Sequence, residues 1–131
     1  MTDLAQSTMP FCAELDIDTV EATAERVVVT LEWADKLCTI GGAMHGGAIM
    51  TLADSAGAIC AFLNLPEGAA GTSTIQSATN LLAAVRSGTV EATATPLHAG
   101  RSTIVVVTEV RNAGRLVAVT TQTQTVLRPS T

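Results

Sequence analysis

Between Lys36 and Arg86 the chain carries only two charged residues, Asp54 and Glu67, counting His as neutral. So long a stretch without charge does not stay solvated as loop; it has to be covered by other parts of the chain. Glu67 falls in Leu65-Pro66-Glu67-Gly68, which reads as a surface turn. Asp54 is left as the single charge inside the apolar run from Gly46 to Leu63. By length alone that run could cross a membrane. An Asp at its centre costs about 2.5–3.5 kcal/mol on an insertion scale and no positive flank anchors the run, so a membrane span is rejected and the segment reads as a buried helix.

Ile49, Leu52, Ala56, Ile59 and Leu63 follow helical spacing and form one apolar stripe suited to packing on a sheet. The opposite stripe, Met50, Asp54, Gly57, Ala58 and Ala61, is also apolar and small-sided apart from the carboxylate. Water is a poor neighbour for such a face. A second helix or subunit accounts for it, and a homo-oligomer is expected.

The remaining chain is rich in Val and Thr and alternates as strands do, over Glu25–Trp33, Thr72–Leu82, Thr89–Leu97, Thr103–Val110 and Leu116–Leu127, with Asp16–Glu21 a weaker strand. Breaks at Ser87-Gly88, His98–Arg101 and Asn112–Gly114 separate the later strands, the last two with the lengths of hairpin loops. The expected order is β-β-α-β-β-β-β, an α+β architecture with an antiparallel sheet against one long helix. At 131 residues this is one domain, residues 1–131, with 1–9 expected to be a flexible N-terminus.

A net charge of −5 without a basic stripe, and three aromatic residues in all, make a nucleic-acid partner improbable. The first residues have no apolar core of a signal peptide, so a cytoplasmic protein is expected. Cys12, Cys38 and Cys60 are odd in number and widely spaced, which argues against disulfides and a zinc site and for buried free thiols. No metal is expected.

Just before the helix stands Ile40-Gly-Gly-Ala-Met-His45-Gly46-Gly47. Paired glycines permit close backbone approach, and the unpaired N–H groups of a helix start make an anion or oxyanion site; a flexible loop with a His packed at the helix end is the plainer alternative. Asp54 requires a partner, a proton or a wet pocket. Either Ser55 or Thr51 satisfies it, or it is an active-site nucleophile or general base. It lies about 12 Å along the helix from Gly46, too far to meet its own helix's N-terminus. Two subunits with antiparallel helices would bring the carboxylate of one to the N–H groups of the other.

The run Gly42-x-x-His45-Gly46-Gly47, then Leu52-Ala53-Asp54, Thr74, Gly88 and His98-x-Gly100-Arg101 resembles the hotdog-fold acyl-CoA thioesterases, of the phenylacetate-degradation type within the 4-hydroxybenzoyl-CoA thioesterase superfamily. The likeness runs from about Pro10 to Arg128. It implies a curved antiparallel sheet wrapped around one long central helix, a dimer whose sheets join, often a homotetramer, and hydrolysis of an acyl-CoA without a cofactor. By the same resemblance Gly46 offers its N–H to the thioester carbonyl, His45 shapes that corner, and Asp54 of the facing subunit attacks the carbonyl or activates water. Thr74 would position that water, with Gly47 beside the substrate and Arg101, more weakly Arg86, near the coenzyme A nucleotide. Where the family usually has Asn or Gln, six residues before the His, this chain has Thr39, and Gln76 or Asn80, on the face of Thr74 by strand alternation, would compensate. That departure also leaves open a hotdog protein that binds acyl-CoA without hydrolysing it. A hotdog hydratase fits less well, since no His follows Asp54 at the spacing that arrangement requires.

Overall fold

The computed structural model describes residues 3–130. Val and Thr dominate the extended segments because β-branched side chains fit a pleated surface. The strands are β1 Asp18–Ala22, β2 Val27–Glu32, β3 Gly71–Leu81, β4 Thr89–Ala99, β5 Thr103–Asn112 and β6 Arg115–Leu127. They form one antiparallel sheet in the order β1-β2-β4-β5-β6-β3. The expected hairpins join β4 to β5 and β5 to β6, the latter through Ala113 and Gly114, both at positive φ as a tight turn between twisted strands requires. Although β3 follows the helix directly, it leaves β4 to pair with β2 and itself takes the sheet edge beside β6.

Leu4–Thr8, inside the segment expected to be flexible, form the short helix α1, followed by α2 at Pro10–Glu14. Asp3 caps α1 through the Ala5 and Gln6 N–H groups and also accepts from the Thr19 N–H at 2.7 Å, which ties the terminus to β1. Of the three thiols, Cys12 and Cys60 are buried, while Cys38 is half-buried.

The helix α3 spans Gly46–Leu63 and lies across the inner face of the sheet. Its Ile49, Leu52, Ala53, Ala56 and Cys60 pack with Val27, Val29 and Leu31 of β2, Val90, Ala92 and Ala94 of β4, and Ile104, Val106 and Val110 of β5. Each large aliphatic side chain buried there contributes about 1.5–3 kcal/mol. The sheet curves far enough to bury more of the helix than two opposed stripes allow. Gly57 and Ala61, expected on the outward face, are buried, and Leu63, expected on the sheet face, is exposed. The outward stripe is therefore Gly47, Met50, Asp54, half-buried Ala58 and Phe62.

Candidate active site

The glycine loop is held open by backbone geometry. Gly41 and Gly42 adopt φ of +84° and +78°, in the left-handed region that suits glycine. The Trp33 indole N–H donates to the Gly42 carbonyl at 3.0 Å, and an Arg86 guanidinium N–H donates to the Gly41 carbonyl at 2.8 Å. Arg86 is thus engaged in bracing the loop. His45 is the N-cap of α3: its Nδ1 accepts from the Gly47 N–H at 2.8 Å, which leaves Nε2 as the protonated nitrogen of the neutral ring. The Gly46 N–H has no hydrogen-bond partner among the described residues, as expected at the first position of a helix. Thr39 is exposed and forms no side-chain hydrogen bond there. A small cavity of about 230 Å³ adjoins this end, with His45, Gly47 and Thr51 among its lining.

Two turns along α3, Asp54 is not the buried, partnerless carboxylate expected from its surroundings. It stands on the exposed stripe, and its Oδ1 accepts from the Gln122 side-chain N–H at 2.7 Å. The neighbouring hydroxyls do not reach it: Ser55 and Thr51 donate to helix carbonyls four residues back. Desolvation by the apolar wall beneath it pushes its pKa above the ordinary carboxylate range, and the Gln122 hydrogen bond pulls in the opposite direction. Thr74 of β3 joins the same cluster, its hydroxyl oxygen accepting from Gln124 at 2.6 Å and from Gln122 at 3.3 Å. With both lone pairs so used, the Thr74 O–H is left to donate outward.

Gln76 and Asn80 do not share the face of Thr74. The register slips at a bulge between Thr74 and Gln76, so Thr74 pairs with Gln124 while Gln76 pairs with Thr123 and Asn80 with Val119. Paired residues share a face, and the extra residue turns Gln76 and Asn80 to the outer side of the sheet. Gln122 and Gln124 supply the carboxamides here. With Thr120 they form an alternating polar row on the inner face of β6, where β4 and β5 present Ala, Val and Ile apart from Thr108, and that row is legible as an anomaly in the sequence. Arg101 is exposed in the turn between β4 and β5. That turn is at the end of the sheet opposite the glycine loop, as Arg128 links the Arg101 and Glu67 carbonyls, whereas Met44 bonds to Val85.

Beyond Asp54 along the exposed stripe opens an apolar cavity of about 400 Å³. Ala58, Phe62 and Leu63 of α3, Leu4 and Met9 from the N-terminal segment, and Thr72 of β3 line it. Its near wall, Ala58, is one helical turn, about 6 Å, from Asp54.

A long helix enclosed by a curved antiparallel sheet, with a glycine loop at the helix start and a lone carboxylate on its open face, defines a hotdog-fold thioester hydrolase. The profile of the thioesterase superfamily matches residues 41–119. ComA2 of Bacillus subtilis, which bears an esterase name, is 36% identical over 91 residues, covering 70% of this chain and 72% of its own length. The solved structure of the esterase-named Rv1847/MT1895 from Mycobacterium tuberculosis is similar at a TM-score of 0.89 and 25% identity, over 94% of this chain and 100% of that one. Thioesterase HI1161 from Haemophilus influenzae gives a TM-score of 0.85 at 26% identity, over 98% of this chain and 93% of the other. The chain belongs to the thioesterase superfamily. It is a thioester hydrolase, which decides against the purely binding alternative.

Proposed function

We propose that the protein hydrolyses an acyl- or aroyl-CoA to the free acid and coenzyme A, at a site that two copies of the chain complete together. The observation that carries this reading is Asp54: an oriented carboxylate on the open face of α3, with no basic partner among the described residues and the Thr74 hydroxyl beside the same Gln122 amide. The unpaired Gly46 N–H would polarise the thioester carbonyl, and the helix dipole would favour the negative charge that develops on its oxygen. Asp54 either attacks the carbonyl carbon, forming an anhydride that water then opens, or takes a proton from the water that attacks. In both cases water is consumed, the carbon–sulfur bond breaks, and the sulfur leaves as the coenzyme A thiol with a proton.

One chain does not assemble this arrangement, since Gly46 and Asp54 are eight residues, about 12 Å, apart on one rigid helix. A facing copy with its helix antiparallel would bring the two together. The exposed edge of β3, with Ile75 and Leu81 among its uncovered side chains, is a surface on which a second sheet would continue. A homodimer is the minimum unit, and pairing of dimers to a tetramer is compatible with it. The 400 Å³ cavity past Ala58 would take the acyl group, and its apolar lining suits a medium-chain acyl or an aryl ring.

The test is release of free thiol from a panel of acyl- and aroyl-CoA esters by the native chain and by Asp54→Ala and Asp54→Asn. Turnover by the native chain that falls at least a hundredfold in both variants is expected. Undiminished turnover in Asp54→Ala would remove Asp54 from the chemistry.

A further inference from the structure

We propose that Gln122 is a positioning residue for Asp54, holding one oxygen of the carboxylate so that the other faces the substrate, from a slot that is open only because residue 57 is glycine. The inference rests on the thioesterase reading above for its catalytic consequence, and on four observations for its geometry.

Gln122 is completely buried, on the inner face of β6. A side chain so placed in a mainly apolar inner face is unfavourable unless its polar atoms are used. Its amide nitrogen is used twice, toward Asp54 Oδ1 at 2.7 Å and Thr74 Oγ1 at 3.3 Å. Its amide oxygen is buried and without a hydrogen-bond partner. That orientation is nevertheless the one adopted, because only the N–H end can donate to a carboxylate.

The orphaned oxygen points at α3. A β-carbon built on Gly57 would lie 1.7 Å from it, closer than any side chain tolerates. Gly57 is one helical turn from Asp54, so the residue that makes room and the residue that is held belong to the same face edge. Gln124, also buried, braces Thr74 from the next inward position at 2.6 Å. The row Thr74, Gln122, Gln124 is a polar strip under the exposed carboxylate.

Gln122 is the only side chain hydrogen-bonded to Asp54 among the described residues. The Cys12 thiol of α2, bonded to the adjacent Ser55, is a titratable group of another element that feels the charge of Asp54, and it is neutral. No Lys, Arg or His among the described residues forms an ion pair with it; the ion pairs present are Arg26–Glu21 and Arg111–Glu109. The Gln122 amide is therefore the group that favours the ionised carboxylate against the desolvation around it.

The experiment compares native protein with Gln122→Met, which keeps the volume and deletes the donor, and with Gly57→Ala, which keeps both residues but closes the slot and so displaces the Gln122 amide. Two readouts are taken: the pH profile of kcat/KM with a coenzyme A ester, and titration of the Asp54 carboxyl carbon by NMR. The expected result in both variants is an acid limb and an Asp54 titration moved upward by about one pH unit, which is about tenfold less activity on the acid side. The fall is expected in kcat rather than KM. An Asp54 titration unchanged in Gln122→Met overturns the proposal. A native protein without turnover would overturn the thioesterase reading alone, because the NMR titration still decides whether Gln122 holds Asp54. Should Gln122→Met fail to fold, Gln122→Asn, shorter by one methylene and still an amide, is read in the same way.

Discussion

Leu81 lies across the start of α3: a β-carbon on Gly46 would come 2.6 Å from Leu81 Cδ1. The neighbour is the far end of an exposed side chain, so it can swing aside. Gly46→Ala is therefore expected to fold and to keep most of its activity, because its N–H remains. Gly46→Pro has the same β-carbon but no N–H. Proline is well tolerated at the first helical position, and His45 already has the extended backbone that a following proline demands, φ −60° and ψ 133°. The expected outcome is a thermal midpoint close to that of Gly46→Ala with kcat lowered about 10²–10³-fold, the cost of one lost oxyanion donor. Mixing Gly46→Pro with Asp54→Ala chains should restore part of the activity through one intact site per mixed dimer. Proven mixed dimers without activity would refute the composite site.

The His45 ring has a structural function that can be separated from any catalytic one. Its Nδ1 takes the Gly47 N–H, so His45→Ala leaves a helix start uncapped and is expected to cost about 0.5–2 kcal/mol. That corresponds to a fall of several degrees in thermal midpoint. His45→Asn replaces the acceptor with a preferred cap and should recover the midpoint. If kcat also recovers, His45 acts by shaping the corner; if stability alone recovers, the imidazole itself is required.

Much of this molecule is legible along the chain, and what is not has local causes. The span of α3 follows from the charge gap, since an apolar run bounded by glycines and the Leu65–Gly68 turn has little freedom to be anything but a core helix. The hairpins follow from their turn residues. The edge position of β3 does not, because the pairing of β3 with β6 is a long-range choice on which turn chemistry is silent. Nor does the bulge after Thr74: one extra residue reverses every later side chain, and Ile75 carries no mark of it. Asp54 is recognisable as the anomalous charge, but its partner is not, because the polar row Thr120, Gln122 and Gln124 marks β6 as unusual without saying which helical residue, 68 positions away, it will face. The helix α1 is hidden from local pattern because its stability comes from Asp3 reaching Thr19, a contact made only once β1 is in place.

The three cysteines should react unequally. Burial pushes the Cys60 thiol up to about 11, leaving roughly one thiolate in a thousand at pH 8. Burial also raises Cys12, against the hydrogen bond from its Sγ to Ser55 at 3.2 Å, with the charges of Asp3 and Asp54 raising it further. Cys38 is half-buried beside the loop. Alkylation of the native protein at pH 8 is expected to modify Cys38 first, with Cys12 and Cys60 labelled only on unfolding. Peptide mass spectrometry before and after denaturation checks this, and early labelling of Cys60 would contradict the packing of α3.

Asp54 also links stability to pH. Its folded-state pKa is raised, chiefly by desolvation, so the folded chain holds the Asp54 proton more tightly than the unfolded chain does. Its contribution is therefore most favourable below the unfolded carboxylate pKa and is lost as pH rises through the folded value. At neutral pH the ionised carboxylate is a burden on the fold. Asp54→Asn, which keeps an acceptor for Gln122 and carries no charge, should raise the thermal midpoint at pH 7 and lose that advantage in acid. Activity should run the other way, appearing only as Asp54 ionises, above the ordinary carboxylate range. A pH series of melting curves on the two proteins measures the first effect.

The apolar cavity predicts how the acyl group is selected. Ala58 is its wall nearest the carboxylate, and a larger side chain there would fill the entrance while leaving the Gly46 N–H and the polar row of β6 unaltered. Ala58→Leu is expected to lower kcat/KM for octanoyl- and benzoyl-CoA by about 10–200-fold, the range that a methylene-scale misfit commands. Acetyl-CoA, which would not reach past Ala58, should be hydrolysed at the same rate as by the native protein. Phe62 stands a further turn along and should matter only for the longer chain, so that Phe62→Ala extends the preference toward palmitoyl-CoA. Equal losses on all three esters in Ala58→Leu would mean that the acyl group lies elsewhere and that the substitution disturbs the dimer or the helix instead.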